Sequence, residues 1–210
     1  MSDPYTLEAR FMDKQVIITV GREFGSGGIF VAEAIARDLD IPLYDKNILE
    51  ELCDERGIPH EYLAEHNEKP RRVLFSRTVR GETNSPEQVL AEMQFSFLRE
   101  KAKEGNSFVV LGRCAEEVLK DQPNLINLFI LADPDWKMKR VMKNFNLSEE
   151  DALTKMKKTD KYRKYYHNSH CSGKWGDSRT YDLCINSSRL GLDKTIEEIL
   201  HYVHSRIDAM

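Results

Sequence analysis

The residues best suited to chemistry lie in one short run, Gly21-Arg22-Glu23-Phe24-Gly25-Ser26-Gly27-Gly28. Four glycines in eight residues follow the β-rich, mostly apolar Gln15–Val20 and precede the helical spacing of Val31, Ala34, Ile35 and Leu39. A turn of this kind lets backbone N–H groups converge, and the helix behind it adds partial positive charge at its N-terminus. The chemistry expected of Gly25, Ser26, Gly27, Gly28 and Ile29 is phosphate binding; the bland alternative is a tight strand-to-helix turn. The pattern G-x-x-x-x-G-K-[ST] is not met, however. With Gly25-Ser26-Gly27 as its Gly-x-Gly element, Gly28 stands at the lysine, Ile29 at the Ser/Thr and Arg22 at the first glycine. The cation for a transferring phosphate and the hydroxyl for magnesium are both missing from their usual places.

Other charged residues stand where strands end. Asp45 and Lys46 follow Ile41–Tyr44, and Arg113 follows Ser107–Leu111. In an open α/β sheet the carboxyl ends of strands face the ligand crevice. Asp45 is expected to orient an acceptor or phosphate-bound magnesium, or simply to cap the next helix. Arg113 is expected to grip a phosphate through its planar guanidinium, unless it is a plain surface arginine. Lys157, Lys158, Lys161 and Arg163 cluster around Asp160, where a solvated basic helix face is the ordinary meaning. Arg71, Arg72, Arg77 and Arg80 suit an acceptor flap or a solvated surface equally. The histidines show no metal-ligand spacing, and Cys114 reads as a small buried filler.

These residues need elements to hold them. Five short apolar runs read as strands: Gln15–Val20, Ile41–Tyr44, Ser107–Leu111, Leu125–Ala132 and Leu183–Ile185. Helical patterns fall between and after them, at Gly28–Leu39, Lys46–Arg56, about Ser85–Glu104, Asp133–Lys143, Glu149–Tyr166 and Thr195–Ile207. The stretch from Pro59 to Pro86 reads as a mobile flap or helical insertion, and His167–Thr180 as a loop. Strands alternating with helices predict an α/β fold with a parallel sheet.

Bulk composition narrows the function classes. The 210 residues, 40% hydrophobic and 31% charged, fit one globular domain with inserted flaps. A net charge of −4 argues against a global field for nucleic acid, so no nucleic-acid partner is expected. Four cysteines with no CxxC pair read as free thiols rather than a disulfide framework or zinc site. The polar opening MSDPYTLEARFMDKQ is no secretory signal, and no run approaches a membrane span of about 20 residues. A cytoplasmic setting without a membrane partner is expected, with a homo-oligomer left open.

Taken together, ITVGREFGSGG, IPLYDK, VVLGRCAEEVL, the Asp160/Arg163/Tyr165-Tyr166 segment and YDLCINSS resemble the cytidylate kinase-like family, from about Gln15 to Ile207. The resemblance implies a three-layer P-loop fold with a five-stranded, mainly parallel sheet flanked by helices. It implies a single domain: a core of about 15–58, 105–145 and 181–208, an acceptor flap of about 59–104 and a lid of about 146–180. It also implies ATP with Mg2+, and phosphoryl transfer to a small nucleotide such as CMP. Arg113 matches the arginine of an Asp-Gly-Arg-Asp segment that holds the acceptor phosphate in cytidylate kinases, but Leu111 and Cys114 replace its flanking acids. Arg22, Lys46, Lys161 and Arg163 are the cations expected to share the work of the absent lysine. Two alternatives stay open: a nucleotide-binding regulator with little transfer activity, and a kinase for a non-nucleotide acceptor.

Overall fold

The structure, a computed structural model, describes residues 14–45, 78–79, 82–83 and 86–210. In chain order the strands are β1 (Ile17–Arg22), β2 (Leu43–Tyr44), β3 (Thr78–Val79), β4 (Glu82–Thr83), β5 (Phe108–Leu111), β6 (Leu125–Leu131) and β7 (Leu183–Asn186). The helices are α1 (Gly28–Asp38), α2 (Pro86–Lys103), α3 (Ala115–Val118), α4 (Pro134–Phe145), α5 (Glu149–His170), α6 (Ser187–Leu190) and α7 (Leu192–Asp208).

β1 is the centre of a five-stranded sheet in the order β2-β5-β1-β6-β7, and every pair is parallel. The register sets Val20 beside Leu111 and Arg22 beside Ile130, so β1, β5 and β6 end at about the same level. Side-chain alternation divides the core between two faces. Ile17, Phe108 and Val110 pack on one face with Leu90, Phe97 and Leu98 of α2. Ile18, Val20, Val109 and Leu111 pack on the other with Val31 and Ile35 of α1 and Ile199 and Val203 of α7. Three layers result, and the runs read as strands are buried because helices cover both faces.

Local signals set the helix ends. Ser148 caps α5 by accepting the Asp151 N–H, and Glu149, Glu150 and Asp151 complement its positive end. Pro134 opens α4, and Gly105, at φ +82°, follows the end of α2.

The structure departs from the sequence reading in several places; the one-turn helices α3 and α6 are not among the expected helices, and α7 begins three residues before Thr195. Within the stretch read as a flap, Thr78 pairs with Thr83 and Val79 with Glu82 in an antiparallel hairpin. Two-residue strands are too short for any periodicity to announce them. Helix α5 also continues to His170, four residues into the expected loop. Its last turn is held by tertiary contact, since buried His167 hydrogen-bonds Glu116 at 2.7 Å. The expected helix at Lys46–Arg56, with Lys46, Arg71, Arg72, Arg77 and Arg80, lies outside the described residues. Among the described residues no helix is long and apolar enough to cross a membrane.

Candidate active site

The turn from β1 into α1 has the backbone of an anion cradle. Gly25 and Gly27 hold φ of +85° and +89°, a region costly for residues with a Cβ. Space for a side chain is tight there as well. A Cβ on Gly27 would fall 2.7 Å from Leu192 Cδ1, and one on Gly25 would fall 3.0 Å from Val141 Cγ2. The Ser26 hydroxyl donates back to Glu23 O at 2.8 Å, and Ser187 Oγ donates to Ser26 O at 2.6 Å, which pins the loop from β7's end of the sheet. Phe30 and Val31 N–H groups bond Gly27 O, while those of Gly28 and Ile29 belong to the first turn, where no intrahelical acceptor exists. The Ile29 side chain packs against the core and offers no oxygen.

Arg22 fills the space that a lysine at position 28 would need. Its Cβ and Cγ lie 2.5 Å and 2.9 Å from where a Cβ on Gly28 would be. Its guanidinium lies against Gly112, where a Cβ would collide with Nη1. One side chain thus runs across two glycines, from the cradle to the end of β5. Burial, then the charges of Arg163 and Arg113, hold Arg22 well below the ordinary guanidinium range, against the opposing pull of Asp45 and Glu116.

Arg113 is aimed by an unusual turn. Gly112, Arg113 and Cys114 hold φ of +77°, +62° and +56° in succession. Left-handed geometry at two consecutive non-glycine residues costs on the order of 1–3 kcal/mol each and is characteristic of residues placed for function. The turn is closed by Ala115 N–H donating to Gly112 O at 3.2 Å.

Helix α5 is clasped onto the cradle. Asp160 Oδ1 accepts the Phe24 N–H at 2.7 Å, and Arg163 Nη1 donates to Arg22 O at 3.2 Å, with its guanidinium over the Phe24 ring. Burial raises the Asp160 carboxyl, opposed by the Phe24 hydrogen bond and by Lys137 and Arg163. Lys137 of α4, buried, donates to Glu23 Oε2 at 2.7 Å and is therefore already neutralised. Burial also lowers Arg163, and Arg113 adds to the effect.

Between α5 and the ends of β1 and β5 lies a cavity of about 190 Å³ whose wall includes Arg22, Arg113 and Arg163. Three guanidiniums from three elements converge there. Two nearby carboxylates are engaged, Asp160 with the cradle and Glu116 with His167. An anion is the natural complement. Tyr162, Tyr166, Trp175 and Tyr181 supply an aromatic side to the same cavity. The Tyr166 hydroxyl is buried on the Arg113 side of the cavity, and burial pushes it upward. Phe129 backs Trp175 and Tyr181 with ring centroids at 5.5 Å and 4.9 Å.

The expected site residues therefore fall into groups. Arg22, Arg113 and Arg163 meet at the cavity, beside the Gly25–Ile29 cradle. Asp45, half-buried, is close enough to act on the Arg22 charge. Lys161 sits on the exposed side of α5, outside the cavity wall. Sequence reasoning missed the aromatic wall, which only α5 and the loop after it bring together. It also missed Arg140 of α4, whose Nη2 lies 3.7 Å from where a Gly27 Cβ would be and whose guanidinium stacks on Trp136. Finally, Cys171 is no ordinary thiol. The neighbouring Cys114 thiol, then His167, pull it below the ordinary thiol range against burial. Burial would lower His167, but bonds with Cys171 and Glu116 prevail and raise it to about 10.

Comparison with known proteins places this geometry in context. Residues 17–189 match the profile of the cytidylate kinase-like family. A cytidylate kinase of Pyrobaculum islandicum is 24% identical over 193 residues, covering 90% of this chain and 92% of its own. The crystal structure of an uncharacterized protein from Eubacterium ventriosum is 43% identical, with a TM-score of 0.72 over 91% of this chain and 99% of its own. The shikimate kinase of Acinetobacter baumannii, solved in complex with shikimate, is 16% identical with a TM-score of 0.54, over 94% of this chain and 97% of its own. That last likeness is one of fold.

Proposed function

The chain belongs to the cytidylate kinase-like family, and from that premise we propose that it transfers a phosphoryl group from ATP to a small acceptor, a nucleoside monophosphate such as CMP. Kinship and fold support phosphoryl transfer in general; the acceptor and the residue roles are our reading. The observation that carries it is the convergence of Arg22, Arg113 and Arg163 on one cavity beside a glycine cradle at a helix N-terminus.

The Gly25–Ile29 cradle receives the ATP phosphates through backbone N–H groups. Arg22 reaches from the cradle toward the acceptor side and replaces the missing lysine, with Arg163 supplying a second cation from the lid. Lys46 and Lys161 are secondary contributors. Arg113 holds the acceptor phosphate, Asp45 orients the acceptor, and the tyrosines and Trp175 suit a planar ring such as a pyrimidine. Catalysis is then positioning plus charge neutralisation. The cradle does not fit direct magnesium ligation, because Ile29 has no oxygen and the Ser26 hydroxyl is spent on Glu23. Magnesium belongs to the substrate, as MgATP. In this reading residues 59–104 form the acceptor flap and 146–180 the lid of a cytoplasmic enzyme.

Gly28 and Ile29 favour a second reading, a nucleotide-binding regulator with the kinase fold and little transfer. Leu111 and Cys114 beside Arg113 favour a third, a kinase for a non-nucleotide acceptor. An ADP-release screen with MgATP against nucleoside monophosphates and small hydroxyl or phosphate acceptors separates all three. Turnover with a nucleoside monophosphate is expected. ATP binding without turnover on any acceptor supports the regulator, and turnover only with non-nucleotides supports the third.

A further inference from the structure

Beside the cavity, away from the cradle, three metal-binding side chains meet, and a fourth, Cys114, lies next to them. Glu116 and His167 are buried, and their ligand atoms lie with Cys171 Sγ all within 4.8 Å of one another. Cys114, 3% exposed, belongs to the packed cluster that Cys171 lies against. Two elements contribute two residues each. His167 lies in the last turn of α5, and Cys171 caps that helix, its N–H donating to His167 O at 2.8 Å. Cys114 and Glu116 flank the first residue of α3, which follows the left-handed turn.

We propose that Glu116, His167, Cys171 and Cys114 form a binding site for a zinc ion that ties the lid helix to the turn carrying Arg113. The donor set selects the metal. Two thiolates and an imidazole are soft ligands suited to Zn2+, whereas Mg2+ takes oxygen. Tetrahedral zinc, with bonds of roughly 2.0–2.3 Å, sets its ligand atoms roughly 3.3–3.8 Å apart. The Glu116–His167 contact of 2.7 Å has to open slightly, the widest separation among Glu116, His167 and Cys171 has to close by about 1 Å at most, and Cys114 Sγ, outside that group, has to swing further inward.

The surroundings of His167 are those of a metal ligand. Its Nε2 faces the cluster, while Nδ1 lies 3.3 Å from Asn168 Oδ1, which in turn accepts the Trp175 N–H at 2.9 Å. A metal-bound histidine typically uses its second nitrogen in this way, and the outer contact fixes the ring. Binding releases the two thiol protons and any Nε2 proton. The filled site, with two thiolates, one carboxylate and a neutral imidazole around Zn2+, carries one net negative charge. That charge offsets the guanidiniums at the cavity, Arg113 being the immediate chain neighbour of Cys114.

The inference is independent of phosphoryl transfer, and its test needs no turnover. Reduced full-length protein is stripped with a chelator and titrated with Co2+, then with Zn2+. One Co2+ per chain is expected, with tetrahedral ligand-field bands and thiolate charge-transfer absorption that Zn2+ abolishes. Cys171→Ser should lose the charge-transfer absorption or weaken binding at least tenfold, Cys114→Ser should lower the absorption, and His167→Gln, which removes a ligand, should weaken binding by at least the roughly 10–100-fold typical of losing an outer contact. Cys184→Ser should change nothing. Circular dichroism checks that each variant is folded. The proposal falls if the wild type takes up no stoichiometric Co2+. It falls equally if Cys171→Ser keeps the wild-type spectrum, or if the two thiols form a disulfide whose reduction restores no metal uptake.

Discussion

Arg22 lies across Gly28 so closely that a Cβ on Gly28 would stand 2.5 Å from Arg22 Cβ. The lysine missing from position 28 and the arginine present at position 22 are therefore one structural fact. Gly28 has no left-handed φ, so its conformation does not demand glycine; the neighbour does. Gly28→Ala should destabilise the fold by about 1–3 kcal/mol, the usual cost of overpacking. In an Arg22→Gly background the same change should be neutral or slightly stabilising, because alanine is the better helix residue. Denaturant midpoints for the four members of the cycle measure the coupling. Additive effects would show that Arg22 is not what excludes a side chain at 28.

Arg113→Ala should weaken acceptor binding far more than ATP binding. Losing one charge-assisted phosphate contact costs on the order of 1.5–3 kcal/mol. The substitution still leaves a residue with a Cβ at a left-handed φ, so Arg113→Gly is the useful companion. Calorimetry with each ligand gives both affinities. Equal losses for the two ligands would assign Arg113 a different role.

Arg163→Ala should lower turnover more than ATP affinity, because a lid cation strengthens its contact as charge moves in the transition state. Lys161→Ala, on the exposed side of the same helix, should have the smaller effect. Arg22→Ala and Lys46→Ala complete the series. Wild-type turnover in all four variants would refute the idea that these cations replace the lysine.

Asp160 gives a pH dependence whose sign follows from burial. Its folded-state carboxyl is raised above the ordinary value of 3.8, so the folded protein binds that proton more tightly than the unfolded chain. This group therefore favours the folded state most at low pH, and the contribution is lost as pH rises from 3.8 through the raised folded value. Asp160→Asn keeps an oxygen for the Phe24 N–H but removes the titration. The stability of the variant relative to wild type should rise with pH across that window. Urea midpoints at several pH values test this, and a flat or falling difference would contradict it.

The sequence by itself determined the five strands of the main sheet, the bounds of α1, α2 and α4 to within about two residues, and the glycine turn between β1 and α1. Those features are local: apolar runs, helical spacing and glycines between a strand and a helix are written within a few residues of one another. It also named Arg22, Arg113 and Arg163 singly, from their positions after strands or near Asp160. Only the tertiary structure decided that the three share one cavity. Arg163 meets the Arg22 carbonyl across 141 residues of chain, and His167 meets Glu116 across 51. The aromatic wall, the closeness of Cys114 to Cys171 and the steric claim of Arg22 on Gly28 and Gly112 arise in the same way. Periodicity reports which face of an element is buried; which residues then face each other depends on how the elements pack, and no local pattern encodes that.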